Sequence, residues 1–206
     1  TDIYKMKQFL HVGCGPKRKS STTRGFDSSD WSEIRYDIDE SVNPDYVGSM
    51  TDMSVIEDSS VDAVFSSHNI EHLYPHEVGI ALGEFFRVLK EDGMVVLTCP
   101  DIKSVCELVA QDKLTDTAYV SPAGPIAPID ILYGHRASMQ NGNLYMAHKC
   151  GFTEKVLIAS LQAAGFQHVA SKSRGSPYFD LWAIATKAKR DEDELRAISN
   201  EHFPLG

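Results

Sequence analysis

"FLHVGCGPKRKS", Phe9 to Ser20, is the stretch on which the reading of the fold turns. Phe9-Leu10-His11-Val12 has the composition of a short strand. It breaks at once into Gly13-Cys14-Gly15, a proline and three basic residues. Two glycines directly after a strand mark a turn that a ligand approaches at the backbone, because a Cβ there would block it. In an open parallel sheet, ligands bind beyond the carboxyl ends of the strands, where the strand order reverses. The dinucleotide fingerprint G-x-G-x-x-G needs a third glycine, and Arg18 stands in its place. The turn alone is weak, and the rest of the chain must carry the argument.

Working outward, four more short apolar runs are bounded by turn residues. They are Glu33–Asp37, Tyr46-Val47 closed by Gly48, Val61–Phe65 leading into Ser66-Ser67-His68, and Met94–Thr98 stopped by Cys99-Pro100-Asp101. Between the last two, Val78, Leu82, Phe85 and Leu89 recur at helical spacing, with Pro75 as a start and Gly93 as a stop. A second helix is expected over Glu154–Ala164, ended by Gly165. "HVASKS" and "YFDLWAIATK", joined across Arg174–Pro177, predict a terminal hairpin. Alternating strands and helices predict an α/β, doubly wound, mostly parallel sheet, with the hairpin adding an antiparallel edge strand.

Two regions break that rhythm. Residues 102–150 contain "SPAGPIAP" and "QNGN" and predict a cap or substrate-side insertion, with Ile126, Ile129, Ile131 and Leu132 either walling an acceptor pocket or anchoring the cap. Residues 187–206 open on a charge run and predict a solvated or frayed charged tail; Leu195 and Ile198 permit only a weak helix. The domain reading is therefore one domain over 1–186, followed by the tail. Pro16–Ser32 has almost no apolar residues besides Phe26 and Trp31, so the first crossover helix is expected to be short or missing. The basic loop "KRKSSTTRGF" that replaces it is either solvated or a lid.

A net charge of −9 argues against nucleic acid as a partner. No run approaches a membrane span, and Thr1–Lys7 lacks the layout of a secretory signal. Cys14, Cys99, Cys106 and Cys150 show no CxxC pairing and no zinc-finger spacing, which predicts reduced thiols and a cytoplasmic location.

Asp37 ends the second run about two dozen residues after the glycines, where a carboxylate can accept from both hydroxyls of a ribose; Asp39 competes for that role. "GSMTDM", "DAVFSSHNIEHL", "FFRVLKEDGMVVLTCPD" and "LQAAGF" follow in order. With "LHVGCGP" and "RYDID", this ordered set resembles the class I S-adenosylmethionine-dependent methyltransferases, over roughly residues 9–101 and 152–186. It is most similar to a bacterial branch of small methyltransferases of unassigned substrate.

The resemblance implies a Rossmann-like fold and S-adenosylmethionine as cofactor. It implies that Gly13 and Gly15 bear the methionine end and that Asp37 holds the ribose. Asp52 would take the adenine amino group, with the Met53 backbone beside the ring. Ser67 and His68 would face the methionine portion or the acceptor, with Asp101 on the rim. The sequence departs from the family at His11, where many members are acidic, and at Lys17, where the third glycine is lost.

A proton acceptor is needed when the methyl acceptor must lose a proton. His68, His72 and His148 are the candidates for that catalytic role, and no metal is expected; His72 and His76, at i and i+4, lack a third ligand nearby in sequence. The function expected is methyl transfer to a small-molecule or glycan-linked acceptor. Its alternatives are an inactive nucleotide-binding or assembly protein of the same fold, and a nicotinamide-dependent oxidoreductase.

Overall fold

The computed structural model describes residues 5–205; residues 1–4 and 206, which include most of the Thr1–Lys7 segment, lie outside the described residues. The strands are β1 (Lys7–Val12), β2 (Trp31–Asp37), β3 (Tyr46–Val47), β4 (Val61–Ser67), β5 (Leu89–Pro100), β6 (Tyr119–Ser121), β7 (Gly124–Ile126), β8 (His168–Arg174) and β9 (Asp180–Thr186). The helices are α1 (Pro75–Val88), α2 (Ile102–Val109), α3 (Pro128–Tyr133), α4 (Arg136–Gln140), α5 (Glu154–Ala163) and α6 (Glu192–His202). The central sheet runs β3-β2-β1-β4-β5-β9-β8, parallel from β3 to β5. β6 and β7 form a separate hairpin in the insertion. No helix among the described residues is long and apolar enough to cross a membrane.

The period of two along each strand sorts the core into two faces. Leu10, Val64, Val95 and Ala183 face one side, where α1 and α5 bring Val78, Leu82, Phe85, Leu157 and Leu161. Phe9, Ala63, Phe65, Val96 and Ile184 face the other. α1 starts as its sequence predicts, with Pro75 in the first turn and the Glu77 carboxylate accepting from the Tyr74 N–H at 2.8 Å.

Three expectations are corrected. α1 does not run to Gly93. It stops at Val88 and passes straight into β5, because Ser59 and Ser60 N–H groups bond its last carbonyls, on Arg87 and Val88. The terminal hairpin does not put its antiparallel strand at the sheet edge. β9 pairs with β5 and β8 takes the edge. β9 carries Leu181, Ala183, Ile184 and Ala185, all buried and apolar on both faces, whereas β8 carries exposed and partly exposed polar residues suited to an edge.

The third correction concerns the expected tail over 187–206: its described residues, 187–205, are not free. The charge run is a helix start: Asp191 accepts from the Glu194 N–H at 2.8 Å, and the Glu194 carboxylate accepts from the Asp191 N–H at 3.1 Å. Ile198 of α6 and Phe203 beyond it pack on the second face against the cluster that contains Phe9, Phe26 and Trp31. The first crossover is indeed without an α-helix; a single 3-10 turn, Lys19–Ser21, interrupts it. It is nevertheless held down. Lys19 Nζ donates to the Ser28 and Trp31 carbonyls, and Arg24 donates to those of Asn200 and Phe203. α6 and this loop together do the covering that a crossover helix would do.

His202 is the pin between them. It is 2% exposed, its Nδ1 lies 2.7 Å from Thr23 Oγ1, and its ring packs on Phe26 at 4.4 Å. Burial pushes its pKa down to about 4. The unfolded chain therefore binds a proton at this site between pH 6.5 and about 4 that the folded chain does not, and stability falls as the pH is lowered through that window. The full effect is roughly 3 kcal/mol. Urea unfolding of the native protein and of His202→Gln at pH 7 and pH 4.5 is expected to show the smaller pH-dependent loss in the variant.

Candidate functional site

The first glycine turn is built where β1 leaves the sheet. Gly13 and Gly15 both have left-handed backbone, φ +65° and +52°. A Cβ on Gly13 would overlap the Asn69 carboxamide, while the space above Gly15 is open. Asn69, which the sequence reading did not single out, ties the strand ends together: its Nδ2 donates to Val12 O, Ser66 Oγ and Ser67 O at 3.0–3.1 Å. Cys14, between the glycines, is buried, and burial pushes its thiol up to about 11, which leaves it unreactive.

The end of β2 clamps this turn from both sides. Asp37 Oδ2 accepts from the Gly15 N–H at 2.7 Å, and Oδ1 accepts from the Asp39 N–H at 2.8 Å. Arg35, only 2% exposed, donates to the carbonyls of Gly15, Lys17 (3.2 Å), Val42 (3.2 Å) and Asn43 (2.6 Å). Asp39, the competitor for the ribose role, instead accepts from the Ser41 N–H and caps a 3-10 turn. His11 turns away from the site onto the second face, where its Nδ1 lies 2.7 Å from Glu33 Oε1.

A cleft of about 770 Å³ opens over the turn. Gly13, Gly15, Asp37 and Asp39 line one end, with Gly48, Ser49 and Met50 beside them; His68, His72 and His148 line the other. The insertion supplies the outer wall through Tyr119, Ile126, Ile131 and Tyr145. Of its four predicted apolar residues, Ile126 and Ile131 reach the cleft, and Leu132 packs in the insertion's own small core.

Three predicted cofactor residues are not at this cleft. Asp52 is exposed beside a different depression shared with Glu84 and Arg87, its Oδ1 accepting from the Ser54 N–H. The Met53 side chain is fully buried in the core; its N–H is spent on Glu84 and its carbonyl on Arg87. Ser67 Oγ points into the β4–β5 seam, 3.2 Å from Thr98 Oγ1. The reason is local. The Tyr36 hydroxyl donates to the carbonyls of Ser49 and Asp52, which folds the loop so that Gly48–Met50 face the cleft and Asp52 faces out. Asp101 is likewise structural, accepting from the Lys103 N–H at the start of α2 and from Ser173 Oγ.

The histidines converge, though not as their spacing suggests. His72 lies in a 3-10 turn, Ile70–His72, before α1 begins, so His76 does not share its face; His76 stacks on Tyr74. The partner of His72 is His148, with ring centroids 4.9 Å apart. The segment carrying His148 is laid on the turn by main-chain bonds from Lys149 and Cys150 N–H to the Glu71 carbonyl. Glu71 lies in the "HNIEHL" run, where no spacing marks it as a site residue. Its side chain is buried, with Oε1 3.5 Å from His68 Nδ1. Burial raises the Glu71 pKa, but His68 and His72 outweigh it and hold the carboxyl below the usual range. Burial lowers the His148 pKa, so its ring is neutral at pH 7. His68 itself is half exposed at the end of β4, with a left-handed φ of +54° that a non-glycine residue adopts at some cost.

Residues 10–97 match the family described as "Methyltransferase domain". No curated protein matches the sequence significantly. Solved structures share the fold. One is the PH0226 protein of Pyrococcus horikoshii, at 16% identity and TM-score 0.60, over 90% of this chain and 84% of that one. Another is a SAM-dependent methyltransferase of Methanosarcina mazei, at 18% identity and TM-score 0.57, over 89% and 93%. A third is the Burkholderia thailandensis 1,6-didemethyltoxoflavin-N1-methyltransferase, at 15% identity and TM-score 0.56, over 90% and 72%; its structure holds 1,6-didemethyltoxoflavin and S-adenosylhomocysteine.

The clamp on Gly15 is open to a direct check. Arg35→Met leaves four carbonyls without their donor and is expected to lower the unfolding free energy by roughly 2–4 kcal/mol. Gly15→Ala meets no neighbour and is expected to cost about 1 kcal/mol, from its left-handed backbone alone. Urea unfolding of the two variants beside the native chain measures both.

Proposed function

We propose, from the match of residues 10–97 to the methyltransferase-domain family and from the Rossmann-like sheet, that the cleft binds S-adenosylmethionine and that the protein methylates a small polar acceptor. The observation that carries this reading is the Gly15 peptide, clamped by Asp37 and Arg35 at the floor of the cleft with open space above it. That cradle admits a ligand against bare backbone, and a Cβ would fill it. Asp37 sits beside it, oriented by two N–H groups, with lone pairs left for a sugar diol. Gly48–Met50 take the adenine edge in place of Asp52 and Met53. His11 does not line the cleft, so the departure at that position leaves the binding surface unchanged.

S-adenosylmethionine supplies an electrophilic methyl group when bound. The chain's own part is to place an acceptor in line and to take its proton. His68 takes the proton: it is accessible at the end of β4, and the Glu71 carboxylate, 3.5 Å from its Nδ1, orients the ring. His72 and His148 orient the acceptor from the opposite side. Tyr119, Ile126, Ile131 and Tyr145 fit a compact acceptor with an apolar face rather than a polymer. The four free thiols and the acidic charge fit a cytoplasmic enzyme that does not act on nucleic acid.

Thermal unfolding tests the cofactor first. S-adenosylhomocysteine at 100 times its Kd is expected to raise the midpoint by roughly 5–10 °C, and NAD to leave it unmoved. A shift with NAD alone replaces this reading with the oxidoreductase. Asp37→Ala is expected to weaken S-adenosylhomocysteine binding by roughly 10–150-fold in calorimetry.

Once an acceptor is found by a homocysteine-release screen, His68→Ala is expected to lower kcat by about 10²–10⁴-fold. Its Kd for S-adenosylhomocysteine should stay within about twofold of the native value. Equal losses in both would assign His68 to binding instead.

A further inference from the structure

Glu71, His72 and His148 present three ligand atoms that all lie within 4.8 Å of one another. We propose that these side chains bind a divalent transition-metal ion of the zinc type on the acceptor side of the cleft. The site rests on its own geometry and does not require that S-adenosylmethionine bind.

The tautomers come first. His72 Nδ1 lies 3.1 Å from the Ala147 carbonyl, and His148 Nδ1 lies 2.7 Å from the Ile131 carbonyl. A carbonyl can only accept, so both rings carry their proton on Nδ1 and leave the Nε2 lone pair free. Main-chain carbonyls holding Nδ1–H in this way are the usual outer support of histidines that ligate metals through Nε2.

The carboxylate supplies the second, independent observation. Glu71 is 1% exposed, and its Oε2 is buried with no hydrogen-bond partner among the described residues. An unpartnered buried carboxylate oxygen is costly. His68 stands at the other oxygen, Oε1. A cation held by Oε2 and the two Nε2 atoms satisfies all three at once.

The donor set selects the metal. Two imidazoles with one carboxylate suit first-row transition ions, whereas magnesium and calcium prefer all-oxygen shells. Three protein ligands leave a coordination position open, and all three residues line the cleft. A metal there can hold an acceptor oxygen or nitrogen and lower its pKa beside His68. The pairing was invisible in sequence because His148 lies 76 residues beyond His72; the main-chain bonds of Lys149 and Cys150 to Glu71 bring it in.

The test uses the full chain, stripped with a chelator and titrated with zinc against a chromophoric competitor, without S-adenosylmethionine. One equivalent bound at sub-micromolar Kd is expected. His72→Ala, His148→Ala and Glu71→Gln should each weaken it by about 100-fold or more. His76→Ala, an exposed histidine outside the cluster, should leave it unchanged.

Should a cluster variant fail to fold, the native protein still decides. Zinc is expected to protect His72 and His148 from diethylpyrocarbonate, read by peptide mass spectrometry, and not to protect His76. Zinc that binds equally well to the folded cluster variants, or that leaves His72 and His148 as reactive as His76, overturns the proposal. So does the absence of stoichiometric binding. Failure here with a normal S-adenosylhomocysteine shift would remove the metal and leave the methyltransferase reading standing.

Discussion

The peptide of Gly15 is gripped on both sides by the last residues of one strand. Asp37 takes its N–H and Arg35 takes its carbonyl. The buried guanidinium also closes the loops at Lys17 and at Val42–Asn43, so one cation with main-chain partners sets the shape of the whole strand-end crevice. A buried charge is tolerable only when its donors are used, and here every neighbour it satisfies is a carbonyl of the ligand-facing loops. The glycine turn is thus a fixed surface, and that rigidity lets it serve as the floor of a binding cleft.

The same economy explains how the fold survives without a first crossover helix. Phe26, Trp31 and the second sheet face need a cover, and α6 returns from the far end of the chain to provide it. Thr23 bonds to His202 Nδ1 and Arg24 to the carbonyls of Asn200 and Phe203, which ties the loop to α6 across the seam. The basic loop, whose composition allows either a solvated segment or a lid, is instead tied to the packed body. The insertion supplies the cleft's outer wall, and its exposed Tyr145 lines the opening.

At the other end of the cleft, chemistry is assembled from segments distant in sequence. The Ile70–His72 turn offers Glu71 and His72, and the chain before α5 lays His148 across them through backbone bonds. Main-chain pairing positions these side chains more firmly than rotamer preference alone would. The cleft therefore has one end floored by the glycine turn beside Asp37 and another lined by nitrogen and carboxylate donors, with the insertion's apolar wall on the outside.

The sequence by itself determined the sheet's parallel strands, the glycine turn, the carboxylate at the end of β2 and the missing crossover helix. These are local matters: period two, β-branched runs, turn residues and the absence of an apolar stripe each act over a few neighbours. It could not tell that β9 sits inside the sheet, that the charge run starts a docked helix, or that Ser49 and Met50 rather than Asp52 and Met53 meet the cleft. Nor could it show that Glu71 is buried between histidines. Only the tertiary structure decided these, because burial and convergence depend on which distant segments share a surface. The hydroxyl of Tyr36 turning one loop and the carbonyl of Glu71 pairing with another are such contacts, and no spacing along the chain encodes them.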